Sequence, residues 1–299
     1  MTLLITGAGG QLGRRTAELL LDRDDRPELI LVTRQPDAIA DLAGRGATVR
    51  FGDFDDPTSL PAAFAGAERM LLISTTEVGD KRVAEHRAAI DAAVAAGVHH
   101  VVYTSCTNPT AANPALVVPD HRTTEDHLAG SGLGWTFLRH QTYAELQIPD
   151  GDPHRLPEGK AAFETGVLRT NHGDGETAYV SREDCAAVAA VVLSGGEEYA
   201  CRAYDVTGPE LIGAARLAEL YARLGDRPVT VEEVTDAQYV DGLVAAGLPG
   251  SIAGLLASFG SATRLGAFAV LSSTVEDLTG QVPRTMSAVL EEALAPAAS

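Results

Sequence analysis

Cysteine is scarce in this chain: Cys106, Cys185 and Cys201 are its only copies, and they stand far apart. An odd, scattered set excludes a disulfide framework, and no two show zinc-ligand spacing, so no metal site is expected. No apolar run approaches the roughly 20 residues that a membrane helix requires. Basic residues are few as well, 23 against 41 acids, which leaves a formal net charge of −18. Such a field repels polyphosphate and argues against a sequence-independent grip on nucleic acid, although a local positive pocket can still hold a small anion. The first residues lack a basic stretch followed by an apolar segment, so no signal peptide is expected. The chain reads as a reduced, cytoplasmic protein without nucleic-acid or membrane partners.

What is present begins at once. The apolar run Leu3-Leu4-Ile5 leads into Thr6-Gly7-Ala8-Gly9-Gly10-Gln11-Leu12-Gly13. A strand that ends in a glycine turn and opens into a helix aims free backbone N–H groups, and the positive end of the helix dipole, at a dinucleotide pyrophosphate. Gly7 then allows the tight turn, Gly10 the close approach of backbone to phosphate, and Gly13 the packing of helix on strand, with Gln11 and Leu12 beside the phosphates.

The first half alternates strand and helix patterns. Strands are expected at Leu3–Thr6, Leu29–Thr33, Thr48–Phe51, Arg69–Ser74, His100–Ser105 and Trp135–Leu138. Between them lie helical periodicities, such as Val83, Ile90 and Val94 on one face, ended by Gly97. The pattern predicts an α/β Rossmann-type doubly wound parallel sheet covered on both faces, with right-handed crossovers. A turn-rich break at 148–153 changes the texture, and Asn171-His172-Gly173-Asp174-Gly175 makes another. Ser181-Arg182-Glu183-Asp184 resembles a capping box, Tyr204–Val206 a late strand, and helices are expected around Arg216–Arg223, Ala237–Ala246 and Met286–Leu294. Residues 1–147 are therefore read as the NADP-binding domain, with 175–207 returning to the sheet. Residues 148–299 are read mainly as a smaller, mostly helical substrate lobe.

The strand Leu29–Thr33 is followed by Arg34, where an acid would otherwise accept from a ribose 2′-hydroxyl. An arginine there can pair with a 2′-phosphate, which favours NADP over NAD, although Asp37 lies close by. Asp53, with Phe54 beside it, can reach the adenosine or can simply cap the helix that Asp55-Asp56-Pro57-Thr58 announces. The fourth strand ends in Ser74-Thr75-Thr76, whose backbone should border the nicotinamide half.

These residues resemble the atypical short-chain dehydrogenase/reductases. Carriers of the resemblance are the N-terminal glycine motif, Thr33-Arg34, and Phe51-Gly52-Asp53. The segments Leu71–Gly79 and Ala95–Ser105 narrow it to the NmrA-like branch, most closely its bacterial NADPH:quinone oxidoreductases of type 2. Further echoes are Asp120-His121 before Thr124-Glu125, Leu138-Arg139 before Tyr143, and Gly173-Asp174-Gly175 before Arg182, so the likeness spans nearly the whole chain.

The resemblance implies NADPH as cofactor and hydride transfer to a quinone or related conjugated carbonyl. It also implies Tyr103 and Thr104 near the cofactor, His140 at the cofactor or the substrate, and Ser105, Cys106 and Tyr143 near an aromatic substrate, although Tyr143 can instead pack in the core beneath the second lobe. Typical short-chain dehydrogenases use a Tyr-x-x-x-Lys pair. Here the only lysines, Lys81 and Lys160, follow Glu77 and Leu156 by four, so the pair does not exist. Where it would stand are Val117 and His121. His121 is accordingly the candidate proton donor, or else a surface partner of Glu125 one turn on. Cys106 reads as packing volume, and the adjacent His99 and His100 cannot both face one metal from a strand. Two other functions fit the same residues, a non-catalytic NADP(H) sensor and a pathway-specific reductase or isomerase of a polycyclic aromatic metabolite. A homodimer is left open.

Overall fold

A computed structural model describes residues 1–150 and 155–295. Gly151, Asp152 and Pro153 of the expected break lie outside the described residues. Along the chain run β1 (Thr2–Ile5), α1 (Gln11–Leu21), β2 (Glu28–Thr33), α2 (Ala40–Gly44), β3 (Thr48–Phe51), α3 (Leu60–Phe64), β4 (Arg69–Leu72) and α4 (Asp80–Ala95). There follow β5 (His100–Cys106), α5 (Val118–Gly130), β6 (Gly134–His140), α6 (Pro157–Thr165), β7 (Val167–Thr170), β8 (Glu176–Thr177), α7 (Arg182–Ser194) and β9 (Arg202–Val206). The last elements are β10 (Ile212–Gly213), α8 (Ala214–Leu224), β11 (Thr230–Glu233), α9 (Asp236–Ala245), α10 (Gly250–Arg264), α11 (Thr274–Thr279) and α12 (Met286–Leu294).

Seven strands form one parallel sheet in the order β3-β2-β1-β4-β5-β6-β9. Successive side chains of a strand leave on opposite faces, and here both faces are covered. Leu3, Ile5, Leu31, Leu71 and Val102 pack toward α1 and α7, whereas Leu4, Ile30, Met70, Val101 and Tyr103 pack toward α3, α4 and α5. This two-sided burial is why the strands read as nearly continuous apolar runs. The order reverses between β1 and β4, and ligands of such sheets bind in the crevice beyond the strand ends there.

The lobe holds α6, α8, α9, α10 and α12. It is mostly helical, and β8 pairs with β10 and β7 with β11 in two small sheets. One correction concerns α4. Ile90 is buried as expected, but Val94 is exposed, and the buried face also carries Arg82, Glu85, His86, Ala89 and Ala93. Polar side chains are buried there because α4 packs against α5, which offers Asp120, His121 and Thr124 as partners.

Candidate functional site

The groove at the sheet's reversal starts from the end of β1. Thr6 Oγ1 donates to Leu71 O at 3.1 Å and accepts from the Ile73 N–H at 3.0 Å, which ties the ends of β1 and β4 together. Gly7 then turns with φ +61°, a conformation costly for any side chain. A Cβ on Gly9 would lie 2.9 Å from Thr33 Oγ1, and one on Gly10 3.3 Å from Gly7 O. α1 begins with no side-chain cap and no acid in its first turn, so its leading N–H groups remain available to an anion.

A cavity of about 460 Å³ runs from this turn past Arg34, Asp53 and Phe54 to Ser74, Thr75 and Thr76. Arg34 is exposed and has no hydrogen bond or ion pair among the described residues, whereas Arg14 nearby is committed to Asp41 at 2.7 Å. Asp37 does not line the cavity. Asp53 Oδ1 already accepts the Asp55 N–H at 3.1 Å, and the helical cap falls to Asp56, which accepts from Thr58 N. A glycine cradle, an uncapped helix start and an unpaired guanidinium on one groove fit a phosphorylated dinucleotide. Sequence reasoning missed Gly9 and Gly52 in its lining; a Cβ on Gly52 would meet Val32 Cγ1 at 2.5 Å.

Of the other expected residues, Leu12 is buried in the core, and Gln11, Leu12 and Gly13 do not line the groove. A Cβ on Gly13 would lie 2.5 Å from Gly7 O and 2.9 Å from Ala8 Cα, so the helix presses directly on the turn. Two expectations are corrected. Tyr103 is wholly buried and does not line the groove; its hydroxyl meets His121 Nδ1 at 2.8 Å. Thr104 is buried too, and its Oγ1 accepts the Ser74 N–H at 2.9 Å, so it positions the strand end.

Beyond Ser74 a second cavity of about 220 Å³ opens between the sheet and the lobe, and Ser74 is common to both. Ser105, Cys106, His121, His140 and Tyr143 line its sheet side, while Leu256, Phe259 and Phe268 give it an apolar lobe wall. Of the two places open to His140, it borders the second cavity and does not line the dinucleotide groove. Its Nδ1 lies 3.0 Å from the Tyr143 hydroxyl. One face of the Tyr143 ring carries Arg182, 4.7 Å from its centroid. Burial pushes the Cys106 thiol up to about 12, which removes it as a nucleophile at neutral pH.

His121 is neither on the surface nor paired with Glu125, which forms a two-pronged bridge to Arg139 at 3.0 and 2.7 Å. Its Nε2 faces Arg82 Nη1 at 3.3 Å. A guanidinium only donates, so Nε2 must accept and the ring proton sits on Nδ1, directed at Tyr103 Oη. Burial, reinforced by Arg82, holds its titration well below the ordinary value. The imidazole is neutral and its one proton is committed, so the proton-donor expectation has no proton to draw on. A sequence pass could not see this, because both partners come from other elements.

His86 and His140 are pulled down to about 3 and His100 to about 4, chiefly by burial. Each folded value lies below the unfolded one near 6.5, so the unfolded chain binds more protons between them. Stability supplied by the neutral rings is therefore complete above pH ~6.5 and is lost as pH falls toward 4. Calorimetric unfolding at pH 7, 6 and 5 should show a falling midpoint with proton uptake; a flat midpoint would refute these buried neutral rings.

Comparison with known proteins decides the family. The model of the NAD(P)H-binding family matches residues 7–195. The chain belongs to the NAD(P)H-binding family. Family members of known activity are similar over nearly their full length. Quinone oxidoreductase 2 of Escherichia coli is 34% identical over 286 residues, covering 95% of this chain and 96% of its own. A (4-alkanoyl-5-oxo-2,5-dihydrofuran-3-yl)methyl phosphate reductase of Streptomyces griseus is 34% identical over 304 residues, covering 98% and 99%. The crystal structure of the Escherichia coli NADPH-dependent quinone oxidoreductase in complex with NADPH superposes with TM-score 0.89 at 33% identity, covering 98% of this chain and all of the other. Among the described residues no helix is long and apolar enough to cross a membrane.

Proposed function

We propose that this protein is an NADPH-dependent oxidoreductase that reduces a quinone or a related conjugated carbonyl. The observation that carries the reading is the meeting of a dinucleotide-shaped groove and an apolar-walled cavity at one residue, Ser74. The likeness to a quinone oxidoreductase over 95% of the chain supports it.

NADPH, when bound, supplies two electrons and a hydrogen to an acceptor held against its nicotinamide face. In this reading the Gly7–Gly10 turn and the start of α1 hold the pyrophosphate, and Arg34 holds the 2′-phosphate. Asp53 and Phe54 border the adenosine, and the Ser74–Thr76 backbone borders the nicotinamide. Thr104 fixes the Ser74 N–H, and His86 Nε2 accepts the Thr75 N–H at 3.1 Å, so this wall is rigid. Tyr143 offers its remaining ring face to a planar acceptor, and Phe259 and Phe268 exclude water. Reduction of a quinone restores an aromatic ring, so proximity does most of the work and no Tyr-x-x-x-Lys acid is required. The three cysteines are unpaired, which accords with a reducing, cytoplasmic setting.

The test is NADPH consumption by the purified protein against a panel of quinones and unsaturated carbonyls. Turnover with at least one quinone is expected. Tight NADPH binding with no turnover on any acceptor would overturn the reading in favour of a sensor.

A further inference from the structure

Three buried polar groups of residues lining the second cavity have no hydrogen-bond partner among the described residues: Arg82 Nε, Ser105 Oγ and His140 Nε2. Their residues are 6%, 4% and 7% exposed, so water does not satisfy them from outside. A buried donor left unpaired costs about 1–3 kcal/mol, and more when charged, so three among the residues lining one cavity call for a polar partner there.

Arg82 is the most demanding of the three. Of its five N–H groups, one meets His121 Nε2 at 3.3 Å, and Asp120 Oδ2 stands 3.8 Å from Nη1, beyond hydrogen-bond reach. That carboxylate is instead engaged by the Gly79 N–H at 2.7 Å. The guanidinium charge is therefore paired with Asp120 only at 3.8 Å, and its Nε remains a donor without a partner among the described residues. His121, neutral and with its Nε2 lone pair turned to Arg82, holds the guanidinium in place. His140 has Nδ1 committed to the Tyr143 hydroxyl; when Tyr143 donates, the ring proton sits on Nε2. Ser105 adds a hydroxyl.

We propose that Arg82, Ser105 and His140 form an oxyanion site in the acceptor cavity, which binds phenolate-type oxygen and takes the place of the missing tyrosine–lysine pair. The catalytic part of this proposal rests on the quinone reading above. A hydride reaching the conjugated acceptor brings one hydrogen and two electrons. The nicotinamide C–H bond breaks and an O–H bond forms at one quinone oxygen; the ring becomes aromatic as the π pair of the opposite carbonyl moves onto its oxygen, the nicotinamide is left oxidised, and the phenolate at that second oxygen is held by the three donors until water supplies its proton. The site selects acceptors whose product carries such an oxygen. Arg82, Ser105 and His140 touch the substrate oxygen and are catalytic residues; His121 is a positioning residue.

The test uses the full chain without cofactor, with 4-nitrophenol as probe at a pH slightly below its own titration. Binding to the wild type should raise the phenolate absorbance, and Arg82→Met should bind the neutral phenol without that rise. Arg82→Met should also lower kcat with a quinone by 30-fold or more, leave NADPH affinity unchanged, and be partly rescued by Arg82→Lys. Should Arg82→Met fail to fold, Ser105→Ala carries the test, with a smaller loss of both signals and unchanged NADPH affinity. No phenolate rise in the wild type, or an undiminished rise in the variant that folds, overturns the oxyanion site. A rise without NADPH turnover on any acceptor would instead overturn the quinone reading and leave the site standing.

Discussion

Valine in place of Gly13 is expected to abolish coenzyme binding and to lower the thermal midpoint together. The reason is positional. A Cβ at residue 13 would lie 2.5 Å from Gly7 O and 2.9 Å from Ala8 Cα, and both are backbone atoms of the turn itself. No rotamer change relieves such a contact, so either α1 lifts from the sheet or the turn deforms. Lifting α1 also opens the packing of Leu12, Ala17 and Leu20 against β1 and β2, with a cost in the range of other overpacked cores, ~1–3 kcal/mol or more. Titration calorimetry and a melting curve check the two effects. A folded Gly13→Val protein that binds NADPH as tightly as the wild type would show that the helix does not seat on the phosphate turn.

Alanine in place of Arg34 should separate the two coenzymes. Arg34 borders the groove without a partner among the described residues, so its loss disturbs no contact among them. A charged hydrogen bond to a 2′-phosphate contributes about 1.5–3 kcal/mol, so NADPH should bind roughly ten- to hundredfold more weakly. NADH, which has no phosphate there, should lose little. Because the arginine is exposed, the difference should shrink as salt is raised. Equal losses for both coenzymes would remove Arg34 from phosphate recognition.

The parts of the fold that were legible are those in which burial writes a pattern. Leu3-Leu4-Ile5 and Met70-Leu71-Leu72 are covered on both faces, so their strands appear as unbroken apolar runs. The small sheets leave no such mark. β11 is Thr-Val-Glu-Glu and exposed throughout, and β8 and β10 are two residues each. α10 was missed because Gly250, Gly254 and Gly260 dilute its helical signal; Gly260 is required because a Cβ there would overlap the Asn171 side chain.

The site divides the same way. The glycine turn and Ser74 announce themselves locally. Arg82 does not, because Asp80-Lys81-Arg82 looks like a solvated charged face and only the docking of α5 buries the arginine. His121 was visible as a residue, but its role depends on Arg82 and Tyr103, 39 and 18 positions away. No local pattern encodes such a contact.

The central claim is that one residue, Ser74, marks the seam across which electrons pass. A crystal structure of the protein with NADPH and a slowly reduced quinone analogue tests it most directly. The account predicts the nicotinamide ring at Ser74, with its reactive carbon about 3–3.5 Å from the analogue in the cavity bordered by Ser105 and His140. An analogue bound elsewhere, or a nicotinamide turned away from that cavity, would contradict it.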